Sequence, residues 1–275
     1  MAAIETLVEG LDHPEGVAYD PRAGVVWAGG EEGQIYRVDL EERRAREVAR
    51  APGFVLGLAV DGRGRLAICC SGDRSLCALA DGEVRRVVAD GLVFPNYPAF
   101  GPDGTLYVSD SGTWSEGDGR VWRIDRDDRT EVFSTSAADF QNGCALSPDG
   151  RWLWLVESYE PRLSRFDVAK GEHEQILRID DTVPDGLAFT SEGGLLVSCY
   201  RPDRIYHLSA DGSLEVVADD LQGTLLAAPT NVCFVGDRLD RVVAANLGRR
   251  HLSILDLGLA GTAPHAPASW ALDAL

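Results

Sequence analysis

A short segment recurs six times in this chain, and it limits the possible folds more than any other feature. It reads PEGVAYDP at 14–21, VLGLAVDG at 55–62, PNYPAFGPDG at 95–104, QNGCALSPDG at 141–150, PDGLAFTSEG at 184–193 and PTNVCFVGD at 229–237. A marker residue near the head of each copy makes the spacing countable: Glu15, Leu56, Asn96, Asn142, Asp185 and Asn231, at intervals of 41, 40, 46, 43 and 46 residues. Periods of about 40–50 residues belong to repeat architectures in which each unit is one supersecondary element. Within each unit, alternating apolar and polar runs are divided by turns such as Asp61-Gly62, Asp103-Gly104 and Asp149-Gly150. Asp-Gly between alternating runs marks a hairpin. Second runs such as LYVSD, third runs such as QIYRVD and fourth runs such as REVAR follow in order. Four antiparallel strands repeated six times predict an all-β six-bladed β-propeller, with residues 1–275 forming a single domain.

The sixth unit supplies three strands, ending in HLSILDL, and the GLAGTAPHAPA that follows reads as loop. IETLVEG at 4–10 has the pattern of the fourth strands. The N-terminal strand is therefore predicted to complete the last blade, closing the ring and removing an open sheet edge. The tail at 262–275 has no predicted place.

A formal net charge of −18 repels phosphate backbones and argues against nucleic-acid binding. No apolar run approaches the length of a membrane span. The opening MAAIETLVEG lacks the basic start of a secretory signal, so a cytoplasmic protein is expected, monomeric or weakly dimeric. Cys69, Cys70, Cys77, Cys144, Cys199 and Cys233 form no C-x-x-C pair and read as small buried hydrophobes. His207 and His251 fall in third strands and read as structural; His13 reads as a loop histidine.

The markers begin the first strand of each unit, and the second strand ends beside them. One end of the channel should therefore be lined by Glu15, Leu56, Asn96, Asn142, Asp185 and Asn231, with Asp110, Ser111, Glu157, Ser158, Tyr200 and Asn246 around them. Five of the six markers carry side-chain oxygen. Asp and Asn are depleted in strands, and buried carboxylates must be paired or bind metal. An all-oxygen set without His or Cys favours a hard cation. Ca²⁺ comes first, with Mg²⁺, Mn²⁺ and the more borderline Zn²⁺ as alternatives.

These motifs, above all PEG at 14–16, QNG through SPDGRWLWLVES at 141–158 and VPDGLAFTSEGGLLVSCY at 183–200, resemble the senescence marker protein (regucalcin)/gluconolactonase/luciferin-regenerating enzyme family across the chain. The resemblance implies a six-bladed propeller and a divalent metal held by Glu15, Asn142 and Asp185, with Asn96 nearby. It also implies a small-molecule substrate, in many members a sugar lactone. Where sugar lactonases keep an Arg, this chain has Phe94, and Tyr97 stands where an acidic residue is usual. With Trp114, these changes imply a substrate less polar than gluconolactone. GTWSEGDGRVWRID also resembles strictosidine synthase-like propellers.

The expected function is metal-dependent hydrolysis of a small lactone or ester. Asp185 would act as base or nucleophile, and Phe94, Tyr97, Asp110, Trp114, Asn231 and Tyr200 would contact the substrate. A metal-dependent lyase or isomerase and a non-enzymatic Ca²⁺-binding propeller are the alternatives.

Overall fold

The computed structural model describes residues 3–88 and 90–274. Each repeat unit is a four-stranded antiparallel sheet. In blade 3 the inner strand Pro95–Phe100 pairs with Leu106–Asp110, which pairs with Arg120–Ile124 and then Thr130–Ser134. The other inner strands are Val17–Asp20, Val55–Val60, Gln141–Leu146, Pro184–Phe189 and Pro229–Val235. Each inner strand touches the next, and the sixth returns to the first. That closed ring of sheets is a six-bladed β-propeller. Ring closure follows the predicted route: Ala3–Glu9 pairs antiparallel with His251–Asp256, Ala3 opposite Asp256 and Glu9 opposite His251.

Strand side chains alternate between the two faces of a sheet, so every blade packs against two neighbours. Six hydrophobic clusters result, one at each blade interface. Adjacent Cys69 and Cys70 illustrate the rule: the first joins the core between blades 2 and 3, the second that between blades 1 and 2. Outer strands such as Arg44–Arg50 are mostly exposed and charged.

The C-terminal tail crosses the lower mouth of the channel. Thr262 N–H donates to Phe189 O at 2.9 Å, His265 Nε2 lies 2.9 Å from Ser147 O, and Gly62 N–H donates to Pro267 O at 2.9 Å. Trp270 is fully buried between blades 2 and 3, edge-on to Phe100 at 5.2 Å, and its indole N–H donates to Asp61 Oδ2 at 2.9 Å. Asp273 pairs with Arg65. The tail thus ties blades 2, 3, 4 and 5 together beneath the channel.

Candidate metal centre and aromatic rim

In five blades the pairing of the first two strands slips at the marker. The slips fall between Val55 and Leu58, Pro95 and Tyr97, Gln141 and Cys144, Pro184 and Leu187, and Pro229 and Val232. A bulge re-aims the side chain it carries, and here it turns the markers toward the axis. Glu15 precedes the first inner strand, its N–H donating to Gly29 O at 3.3 Å. A glycine follows the marker in four blades, and two of them show why. A Cβ on Gly16 would strike the Leu56 carbonyl oxygen, and one on Gly143 the Asp185 carbonyl oxygen. Backbones of neighbouring inner strands therefore meet without intervening side chains, which draws the markers close together.

Glu15, Asn96, Asn142, Asp185 and Asn231 are all at most 4% exposed. Asn96 Nδ2 donates to Ser111 Oγ at 3.0 Å; Asn142 Nδ2 donates to Ser158 Oγ at 3.2 Å and to Asp185 Oδ2 at 3.2 Å. Each serine hydroxyl in turn donates a hydrogen bond to the next blade, Ser111 to Gln141 O and Ser158 to Pro184 O. These bonds fix which end of the Asn96 and Asn142 carboxamides faces the channel, whereas Asn231 makes no such bond and its Nδ2 is unpartnered as well. What remains is a set of buried oxygens without any partner: Glu15 Oε2, Asn96 Oδ1, Asn142 Oδ1, Asp185 Oδ1 and Asn231 Oδ1. Buried polar atoms left unpaired are costly and need an explanation. Five acceptors from five blades, two on carboxylates, fit a hard divalent cation by donor chemistry and by their lack of other partners.

The electrostatics agree. Burial, together with the nearby Asp185 carboxylate, pushes Glu15 well above the usual carboxylate range. Burial also raises Asp185, to about 7, against the opposing bond from Asn142. Tyr200 is raised by burial and by the charges of Asp185 and Glu15.

Above the ring lies an aromatic rim. Phe94 and Phe140 have ring centroids 5.8 Å apart; Trp114 stands edge-on to Phe140 at 4.6 Å and to Tyr159 at 5.5 Å. Trp114 is 44% exposed. It sits on the connection between the second and third strands of blade 3, where Thr113 N–H donates to Asp118 Oδ1 at 2.6 Å and narrows the loop. Phe94 and Trp114 thus both pack on Phe140. Phe140 and Tyr159 were missed, although the repeat carried a signal for the first: Phe140 precedes Asn142 by the same spacing as Phe94 precedes Asn96.

Two expected substrate contacts are placed differently. Asp110 is fully buried, and its oxygens accept from Val93 N–H at 2.9 Å, Phe94 N–H at 2.6 Å and Trp122 Nε1–H at 3.0 Å. It faces the protein and holds the segment carrying Phe94. Tyr97 occupies the position that is glycine in four other blades, so its side chain must enter the channel, where it packs on Gly57 and lines the space below the ring. It has no part in the rim. Leu56 is the one marker that brings no oxygen. A separate cluster, Asp12, His13 and Glu31, brings ligand-type atoms together on the more exposed surface, with His13 Nδ1 3.1 Å from Asp12 Oδ1 and 3.3 Å from Glu31 Oε2. One of its carboxylates already serves other partners: Asp12 accepts from Gln34 Nε2 at 3.1 Å and from Glu32 N–H at 3.2 Å.

Among curated proteins the chain is similar to strictosidine synthase-like 4 and strictosidine synthase-like 6 of Arabidopsis thaliana, 23% and 25% identical over 205 residues, or 66% of this chain and 55% of each relative. The chain therefore spans about half the length of those relatives. Among solved structures, a gluconolactonase from Xanthomonas campestris superposes with a TM-score of 0.79 at 22% identity, covering 94% of this chain and 90% of the other. The calcium-binding protein regucalcin from Agrobacterium tumefaciens gives a TM-score of 0.77 at 17% identity, covering 96% and 97%. At such identities these structures speak for the fold alone. The sequence model of the SMP-30/gluconolactonase/LRE-like region matches residues 13–245, a stretch that starts before the Glu15 marker and ends past Asn231, so the chain belongs to the SMP-30/gluconolactonase/LRE-like family.

Proposed function

We propose that this protein is a divalent-metal-dependent hydrolase of a small lactone or ester whose body is less polar than gluconolactone. The observation that carries the proposal is the set of unpartnered buried oxygens beneath an aromatic rim. Glu15, Asn142 and Asp185, with Asn96 and Asn231 beside them, would hold one hard cation, Ca²⁺ before Mg²⁺, Mn²⁺ or Zn²⁺. Bound there, such an ion supplies Lewis-acid polarisation of a carbonyl.

The remaining work falls to side chains. Asp185, oriented by the bond from Asn142 Nδ2 to its Oδ2, would take the proton from an attacking water. The water oxygen bonds to the carbonyl carbon, the ester C–O bond breaks, and the leaving alkoxide recovers the proton. The product is a hydroxy acid from a lactone, or an acid and an alcohol from an ester. Ser111 and Ser158 hold the carboxamides before substrate arrives, so little reorganisation accompanies the developing charge. Phe94, Phe140 and Trp114 exclude water and take up the apolar part of the substrate, with Tyr200 and Asn231 beside the ring. Six cysteines without a disulfide suit a reducing, cytoplasmic setting.

The test is a panel of alkyl-substituted lactones and gluconolactone, assayed by acid release with Ca²⁺ present. Alkyl lactones should be turned over faster than gluconolactone, with ¹⁸O from water entering the product. Preference for gluconolactone would overturn the polarity assignment. Substrate loss without ¹⁸O uptake would overturn hydrolysis in favour of a lyase or isomerase.

A further inference from the structure

The channel continues below the oxygen ring. All six inner strands contribute to a cavity of about 440 Å³, and residues Thr262, Ala263, Pro264, His265 and Ala266 of the tail cross its lower end. Its walls are built from side chains such as Leu58, Ala99, Leu146, Leu187, Ala188 and Val232. None of Glu15, Asn96, Asn142, Asp185 or Asn231 belongs to them. The lining stops short of the ring residues, and the inference does not depend on the proposed hydrolysis.

We propose that the lower chamber binds a neutral, largely apolar small molecule carrying one hydrogen-bond acceptor. Three observations carry this. The volume falls within the range of small-molecule sites, which are mostly apolar with a few placed polar groups. An apolar cavity is poorly hydrated, so an apolar occupant gains contacts that water cannot supply. One polar group is placed in the wall: Tyr97, whose hydroxyl makes no hydrogen bond to protein among the described residues. Tyr97 is in this place because it replaces the glycine that other blades carry after the marker.

Charge selects against anions. Asp20, Asp61 and Asp237 lie at the lower mouth with Arg22 and His265. Asp61 is already tied to Arg65 at 2.6 Å and to Trp270. Asp20 and Asp237 outnumber the single Arg22, so a carboxylate or phosphate meets repulsion there. Entry is past the tail, where Ala263, Pro264 and Ala266 are exposed.

The test uses 6-propionyl-2-dimethylaminonaphthalene, a neutral fluorescent ketone whose emission shifts to the blue in apolar surroundings. The full-length protein should bind one equivalent saturably with blue-shifted emission. Ala188→Trp, which fills the chamber, should weaken binding at least about tenfold. Tyr97→Phe should weaken it about fivefold, the value of one ordinary hydrogen bond. Trp114→Ala, on the upper rim, should leave binding unchanged. If circular dichroism shows that Ala188→Trp does not fold, Cys233→Leu takes its place with the same expectation. Absence of saturable binding overturns the inference. So does binding that survives the filling variant, or binding that is lost with Trp114→Ala, which would put the dye at the upper mouth.

Discussion

At the upper end of the inner strands the channel presents Asn142, Asp185 and Asn231; one turn of the pleat lower, the same strands present Cys144, Leu187 and Cys233. The lower half is apolar and consistent with the blade cores around it. The upper half concentrates buried oxygens that no protein group satisfies, two of them on carboxylates pushed upward by burial. Such a ring does nothing for the stability of the empty protein. Chemistry that opposes stability, gathered at one level of six repeats whose other levels are ordinary core, points to a ligand rather than to packing.

Removing one carboxylate should have the largest effect on the upper level. Asp185→Asn keeps the shape and should lower turnover by about 10²–10⁴. Undiminished hydrolysis by the variant would remove Asp185 from the chemistry. Next comes a change in the lower region alone. Trp270→Ala deletes the buried anchor of the tail and should destabilise by about 3–5 kcal/mol, read by chemical denaturation. Its Ca²⁺ affinity should stay at the wild-type value; a parallel loss of affinity would mean that the two regions are not separate.

A smaller effect is expected from the bonds that aim the ring. Ser158→Ala leaves the Asn142 carboxamide with only its bond to Asp185 and should weaken metal binding about 10–100-fold, as the loss of a ligand-orienting partner does. Stability should change little by comparison. The smallest effect is a difference in pH dependence. Burial raises Asp185 from its unfolded value to about 7. Stability linked to its protonation is complete below about pH 4, near the unfolded value, and is lost as pH rises through about 7. Metal-free wild-type protein should therefore lose more stability than Asp185→Asn between about pH 5 and pH 8. Equal slopes would mean that the carboxylate is not held in the environment described.

The repeat made most of the fold legible. Asp-Gly turns set the hairpins, marker spacing set the blade count, and the fourth-strand pattern of IETLVEG identified the closing strand. The oxygen ring was legible for the same reason: five markers of one chemistry recur at one structural level. Departures from the repeat were harder to read. Tyr97 looks like a neighbour of Asn96 until the glycines at its equivalent positions reveal that no side chain fits between the blades there. Asp110 ends a second strand beside the site, but backbone N–H groups from the preceding loop claim its oxygens, a long-range pairing with no mark in the sequence. The tail is loop-like in pattern because single contacts, not periodic ones, hold it. Trp270 in its slot between blades 2 and 3 is the main one.

Glu15, Asn142 and Asp185 are proposed to hold a divalent cation, and calorimetric titration of the metal-stripped protein with Ca²⁺ asks whether they do. One ion should bind per chain, with an affinity that weakens as pH falls through about 7 because protons compete for the raised carboxylates. That binding should be lost in Glu15→Gln/Asp185→Asn. A folded wild-type protein that binds no Ca²⁺, or binding that persists in the double variant and disappears with Glu31→Gln in the exposed cluster, would contradict it.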